Sequence, residues 1–241
     1  MKIRSIIFAL AAFFPLLSFA ENTALVPMPR DFPTNWMSRH EAYVAEAKKG
    51  GVDLLFLGDS ITDGWRWGNG GSKIWPERYA PRHAANFGIG YDRIQNVLWR
   101  IENGELEGIS PKVIVLLIGT NNSGKEDNGR PRNTTPEIIA GISNLVRQIQ
   151  FREPQGKILL LGIFPRGVKT DPIRDQVKAV NAGIAGLADG AKVKFLDLGD
   201  KFLEPDGTLS RDLFPDLLHP NAKGYQIWAD AMEPTLAEML K

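Results

Sequence analysis

Val52-Asp53-Leu54-Leu55-Phe56-Leu57-Gly58-Asp59-Ser60-Ile61-Thr62-Asp63-Gly64-Trp65 is the stretch that decides the fold. It opens as a short apolar run of strand composition, breaks at Gly58, and presents a serine where the chain has to turn. A residue at the carboxyl end of a strand in an α/β sheet stands on the edge where such folds place their ligands. Ser60 is therefore a candidate nucleophile. It is equally a candidate N-cap for a following helix, because serine accepts well from the first free N–H groups.

Working outward, the same arrangement recurs. Val113-Ile114-Val115-Leu116-Leu117-Ile118 is apolar throughout, as a strand buried on both faces should be, and it ends at Gly119-Thr120-Asn121-Asn122. Ala84-Ala85-Asn86-Phe87 is a shorter strand candidate running into Gly88-Ile89-Gly90-Tyr91-Asp92. Lys157–Ile163 and Val193–Leu198 complete five expected strands. Helical patterns separate them: Trp36–Lys49, Ile94–Asn103, a segment opened by Thr134 with Glu137, Ile173–Ala188 and Ala222–Leu240. Strands alternating with helices predict a mostly parallel sheet covered on both faces. The loop Trp65-Arg66-Trp67-Gly68-Asn69-Gly70-Gly71 reads as a mobile wall whose tryptophans line a pocket or pack on the core.

The 241 residues, 43% of them hydrophobic, suffice for one large core. The first twenty are expected to stand apart from it. Lys2 and Arg4 precede an apolar run from Ile6 to Leu17, and Ser18-Phe19-Ala20 is a small-x-small site. That is the pattern of a secretory signal peptide cleaved after Ala20. The apolar run is shorter than the roughly 20 residues a membrane span needs. Domain organisation is accordingly expected as signal peptide 1–20, an N-terminal extension and helix 21–51, and a catalytic domain 52–241, in a periplasmic or secreted protein. With no cysteine there is neither a disulfide framework nor thiol chemistry. Dropping Lys2 and Arg4 from the 29 basic residues leaves 27 against 28 acidic ones. Such balance gives no global attraction to nucleic acid or to an anionic membrane. The three histidines, His40, His83 and His219, are far apart and lack zinc spacing, so neither metal nor cofactor is expected.

The last informative segment is Phe214-Pro215-Asp216-Leu217-Leu218-His219-Pro220. Pro220 biases His219 away from helical backbone. A serine hydroxyl needs a neutral imidazole to take its proton and a further group to hold that imidazole in one tautomer. His219 can be the base, and Asp216, three residues earlier, can fold back to its other nitrogen. Attack on an ester also builds negative charge on oxygen, which needs donors placed in advance. Backbone N–H groups at Ser60 and in the Gly88–Tyr91 turn, with the Asn121 amide, are expected on one edge. Asn121 as a plain turn-former is the competing reading.

Gly58-Asp59-Ser60, the Asn86–Asp92 turn, Gly119-Thr120-Asn121-Asn122 and Asp216-Leu217-Leu218-His219-Pro220 together resemble the four blocks of the SGNH (GDSL-type) hydrolases, in order, from Val52 to the C-terminus. Asn86-Phe87-Gly88-Ile89-Gly90, Val97-Leu98-Trp99-Arg100 and Glu102-Asn103-Gly104-Glu105-Leu106 are especially similar to the catalytic subunits of intracellular platelet-activating-factor acetylhydrolase. The resemblance implies a three-layer α/β/α sandwich, flavodoxin-like, with strand order 2-1-3-4-5, and metal-free ester hydrolysis through an acyl-enzyme. It makes Ser60 nucleophile and oxyanion N–H donor, Asn121 the oxyanion amide, His219 the base and Asp216 its orienting carboxylate. The glycine that normally precedes the aspartate of the second block is here Tyr91, which can still supply a main-chain N–H if its φ and ψ are ordinary. Asp59 is expected to stabilise the turn.

The Gly-x-Ser-x-Gly elbow of the better-known serine hydrolases is excluded, since position 62 is threonine. The resulting expectation is a serine esterase acting on short acyl groups, acetyl first, with a carbohydrate O-acetyl ester as substrate because of export. The acetyl preference rests on the resemblance and on Trp65, Trp67 and Tyr91 near the site. A lysophospholipase or thioesterase with a longer acyl channel is the rival enzyme. A carbohydrate-binding protein without turnover is the rival non-enzyme. An FMN-binding flavodoxin lacks its phosphate loop here. The acetylhydrolase subunits dimerise, so the resemblance allows a homodimer.

Overall fold

The computed structural model describes residues 21–241, so the expected signal segment lies outside the described residues. Five strands, β1 (Leu54–Gly58), β2 (Ala84–Gly88), β3 (Val113–Leu117), β4 (Lys157–Leu161) and β5 (Val193–Leu196), form one sheet in the order β2-β1-β3-β4-β5. All four pairings are parallel. Alternate strand residues face opposite ways. Leu55, Leu57, Ile114 and Leu116 pack under α1 (Trp36–Ala47), α4 (Ile94–Glu102), α5 (Thr135–Arg152) and α6 (Pro172–Ala185). Leu54, Phe56, Val113 and Val115 pack under α7 (Ala222–Met239), the single helical turns α2 (Ser60–Asp63) and α3 (Trp75–Arg78), and the aromatic turns around Trp65, Tyr79 and Phe202. The architecture is the three-layer α/β/α sandwich.

Several ends differ from the sequence reading, each for a local reason. β4 stops at Leu161 because the Asn181 side chain takes over the next peptide groups: Ile163 N–H donates to Asn181 Oδ1, and Asn181 Nδ2 donates to the Ile163 carbonyl. β5 stops at Leu196, after which Asp197 Oδ1 accepts from Gly199 N–H and turns the chain. α5 has the expected capping box, with Thr134 Oγ1 accepting from Glu137 N–H and Glu137 Oε2 from Thr134 N–H. No helix among the described residues is long and apolar enough to cross a membrane.

The Trp65–Gly71 loop is not a mobile wall. Trp65 is 1% exposed and sits in the core among Phe56, Tyr79, Tyr225 and Trp228. A side chain at Gly71 would collide with the Trp65 ring, and one at Gly64 with Tyr225. The glycines let the loop close on its own tryptophan. Only Trp67 remains near the expected site, its ring 5.4 Å from that of His219.

Candidate active site

The chain leaves β1 to build β2 on one side and crosses to β3 on the other, so the carboxyl end of β1 is the switch point where α/β sheets open a crevice. Register aligns Gly58 with Gly88 and with Leu117. Ser60, Gly90 and Asn121 follow these positions by two to four residues and so emerge on one edge. A Cβ built on Gly90 would lie 3.9 Å from the Ser60 Cβ. A side chain at Gly58 would strike the Leu117 carbonyl and Thr62, and one at Gly88 the backbone at Thr62 and Asp63. The two glycines thus let the serine turn sink between β2 and β3.

The turn after β1 is a single helical turn, α2 (Ser60–Asp63). Its N-cap is Asp59, whose Oδ1 accepts from Ile61 N–H at 3.0 Å, so Ser60 is relieved of the capping role and its hydroxyl is free. Ser60 Oγ lies 2.9 Å from His219 Nε2, and His219 Nδ1 lies 2.7 Å from Asp216 Oδ2. An ionised carboxylate only accepts, so Nδ1 carries the proton and Nε2 is left to accept from the serine. Asp216 Oδ1 accepts from Leu218 N–H at 3.0 Å and His219 N–H at 2.7 Å. Partial burial pushes the Asp216 carboxyl up, but the hydrogen bonds from the His219 N–H, the His219 ring and the Leu218 N–H outweigh it and hold it below the usual range. The carboxylate is therefore ionised at neutral pH.

The histidine loop is fastened from two sides. Tyr225 Oη donates to the Ile61 carbonyl at 2.6 Å, joining the start of α7 to α2, and Gly167 N–H donates to the Leu217 carbonyl at 2.8 Å. Exposure rises along the relay, from 9% for Ser60 to 26% and 55% for the His219 and Asp216 side chains. The site is open to solvent on that flank.

On the other flank, Asn121 Nδ2 donates to the Asp92 carbonyl at 2.9 Å, bridging the loops after β3 and β2 across the end of β1. Its second N–H has no acceptor among the described residues, nor have the backbone N–H groups of Ser60 and Tyr91. Removing one such donor from an oxyanion site costs about 10²–10³ in kcat. Asn121→Ala is expected to fall in that range with little change in KM, read from p-nitrophenyl acetate kinetics. A loss below about five-fold would leave Asn121 as a turn-former.

Tyr91 departs from the condition set for it: its φ is 67°, in the left-handed region. That conformation costs a non-glycine residue roughly 1–2 kcal/mol and is the one a glycine would supply freely. It is held by Arg30, which donates to the Tyr91 carbonyl at 2.9 Å. The Tyr91 ring is 56% exposed and meets Phe32 edge-on, with centroids 5.0 Å apart.

Two groups beneath the site have no role that the sequence assigns, although Arg100 and Glu105 lie in stretches similar to the acetylhydrolase subunits. Arg39 donates to both carboxylate oxygens of Asp63 and, together with Tyr43 Oη, to the Gly88 carbonyl. Arg100, fully buried, donates to the Phe87 and Gly58 carbonyls and to Glu105. Its Nε lies 2.9 Å from Asp92 Oδ2, an ion-pair contact in which the N–H is not aimed at the oxygen. Asp92 Oδ1 accepts from Trp36 Nε1 at 2.6 Å, and Glu105 Oε1 lies 2.9 Å from His40 Nδ1. No group of three His, Cys, Asp or Glu side chains among the described residues is arranged to hold a metal ion.

Burial pushes the Asp59 carboxyl up to about 7, against the Ile61 N–H, which favours the ionised form. Between the ordinary aspartate range and that value the folded protein binds a proton the unfolded chain lacks, so Asp59 lowers stability increasingly as pH rises through the window. Asp59→Asn is expected to remove that component. Relative to wild type it gains up to about 4 kcal/mol between pH 4 and 7. Thermal melts across this range decide it, since parallel curves would mean that Asp59 is ionised throughout.

The parallel α/β/α fold and a serine–histidine–carboxylate relay at its switch point define an SGNH hydrolase. The sequence matches the GDSL-like lipase/acylhydrolase family over residues 56–227. It is 37% identical over 228 residues to the platelet-activating factor acetylhydrolase IB subunit alpha1 of Homo sapiens, covering 93% of this chain and 94% of that one. With subunit alpha2 from Rattus norvegicus the identity is 39% over 208 residues, covering 86% and 85%. The chain belongs to this acylhydrolase family and is a carboxylic ester hydrolase. Two solved structures share the fold: the acetyl xylan esterase AlAXEase, with TM-score 0.62, 23% identity and coverage of 76% and 98%, and a catalytic mutant of the acetylxylan esterase Axe2 from Geobacillus stearothermophilus, with TM-score 0.58, 22% identity and coverage of 79% and 94%.

Proposed function

We propose that this hydrolase is a serine esterase that removes acetyl groups from carbohydrate oxygen esters. The observation that carries the mechanism is the unbroken hydrogen-bond relay Ser60–His219–Asp216. Ser60 Oγ attacks the ester carbonyl while His219 Nε2 takes its proton, and Asp216 stabilises the imidazolium. The Ser60 N–H and the Asn121 amide receive the developing oxyanion, joined by the Tyr91 N–H, whose left-handed backbone is the one a glycine would supply at that position. Collapse expels the alcohol, which takes the proton back from Nε2. Water, deprotonated by the same nitrogen, then attacks the acyl-enzyme; the acid leaves as the ester bond to Ser60 Oγ breaks, and the proton on Nε2 returns to that oxygen.

Acetyl preference draws on the relatives named acetylhydrolase and on the bulk of Trp67 and Tyr91; Trp65, being in the core, contributes nothing to it. Carbohydrate as the alcohol half draws on the expected export of the chain and on the open flank of the site. Hydrolysis of p-nitrophenyl acetate, butyrate and octanoate tests the acyl preference, with acetate expected fastest. Faster octanoate turnover would replace this reading with a lipid esterase. Intact mass of exported protein tests the export step, and a retained Met1–Ala20 segment would remove it.

A further inference from the structure

Three arginines stand along the Asn121 side of the site, and none is needed by a neutral acetyl ester. Arg166, in the loop after β4, donates to the Thr120 carbonyl at 2.9 Å. Arg132 donates to the Asn121 carbonyl at 3.3 Å, and Arg30 to the Tyr91 carbonyl at 2.9 Å. Each therefore rests on the backbone of a residue that forms, or directly precedes, the oxyanion side. All three are partly exposed.

Their neutralisation is incomplete. Arg30 and Arg166 make no salt bridge among the described residues. Glu126 is shared, with its Oε1 at 2.7 Å from Arg93 and its Oε2 at 3.6 Å from Arg132. The remaining acids are engaged elsewhere: Asp92 with Arg100 and Trp36, Asp216 with His219, Asp171 as the N-cap of α6, and Asp59 buried under the serine. Burial lowers the Arg30 pKa, as do Arg93 and Arg132, against the pull of Asp92 and Glu126. Burial and then Arg132 lower that of Arg166, against Asp171, Asp59 and Asp216. Arg132 thus stands within electrostatic reach of both.

We propose that these arginines form an anion subsite, and that the alcohol half of the substrate is an acidic sugar whose carboxylate or phosphate is held there while its acetyl ester lies on Ser60. This rests on the esterase reading above and narrows its substrate. Guanidinium groups suit such oxyanions, presenting paired donors with a fixed charge. The neighbouring surface suits a sugar ring: Tyr91 and Phe32, 56% and 54% exposed, form an aromatic corner, and Arg30 Nε donates to the Phe32 carbonyl at 2.8 Å. The cation at the foot of the aromatic corner places charge recognition and ring packing side by side. The repulsion that Arg132 exerts on Arg30 and Arg166 is only partly offset by the nearby carboxylates, and an arriving negative group relieves it further.

The test compares kcat/KM on three monoacetyl pyranosides: a glucuronoside with free carboxylate, its carboxyl methyl ester, and a glucoside phosphate. Wild type is expected to prefer one or both anionic substrates over the methyl ester by about ten-fold, the gain of one charge-assisted contact. The better anion identifies the group recognised. Raising salt to about 0.5 M should shrink the preference, because charge attraction is then screened within a few ångströms. Arg166→Gln and, separately, Arg132→Gln should lower the anionic-to-neutral ratio; the ratio cancels any general effect on the oxyanion loop, and a thermal melt reports whether each variant is folded. Equal turnover of all three substrates by wild type would overturn the subsite, as would a ratio unmoved by both substitutions. Hydrolysis of p-nitrophenyl acetate through Ser60 separates that failure from a failure of the esterase reading.

Discussion

Ser60→Ala is expected to lower kcat on p-nitrophenyl acetate by about 10⁴–10⁶-fold, the range seen when the nucleophile of a serine–histidine–carboxylate relay is removed. The lost group is a single hydroxyl at the start of α2, with one partner among the described residues, His219 Nε2 at 2.9 Å. Its removal leaves that nitrogen able to accept from water, since the His219 side chain is 26% exposed. The melting temperature should accordingly stay within about 2 °C of wild type. Residues acting as one unit do not add, so Ser60→Ala/His219→Ala should be scarcely slower than Ser60→Ala alone. Retention of more than about one per cent of activity by Ser60→Ala would mean a different nucleophile, and the relay would have to be reassigned.

Arg100→Met should give the largest loss of stability, about 3–5 kcal/mol, or roughly 10 °C in melting temperature. The methionine fills much of the volume but leaves Asp92 and Glu105 as buried acids without their cation, and the Gly58 and Phe87 carbonyls without their donor. Burial already pushes the Asp92 carboxyl up to about 6, with Arg100 pulling the other way. Loss of the arginine should drive it towards the protonated form. Adding Glu105→Gln to Arg100→Met should recover part of the loss, because a neutral amide is cheaper to bury than an unpaired carboxylate. Chemical denaturation of the single and double variants measures both. Equal stability of wild type and Arg100→Met would show the network to be a replaceable filler of space.

Hydropathy patterning and capping made much of this protein legible from its sequence. Val113–Leu117 is apolar at every position, which only a strand buried on both faces requires, and Thr134 with Glu137 announces the start of α5. Asp216 and His219 are three residues apart, and a pair that close in sequence can meet without help from the rest of the fold. The order of the four blocks carried the family, and with it the strand order.

Tertiary structure alone decided what depends on residues distant in sequence. Whether Trp65 would line a pocket or fill the core turned on Phe56, Tyr79, Tyr225 and Trp228, and they close around it completely. The left-handed φ of Tyr91 is held by Arg30, sixty-one positions away, and no local propensity of tyrosine announces it. Arg100 carries no mark in the sequence of being a buried cation, since its partners at Gly58, Phe87 and Asp92 come from two strand ends and a turn. Ser60 and His219 lie 159 positions apart and meet because Tyr225 ties α7 to α2 and Gly167 holds the Leu217 carbonyl. Periodicity and capping act over a few residues, whereas charge pairing, close packing and the meeting of a nucleophile with its base are set by which chain segments the sheet brings to one edge.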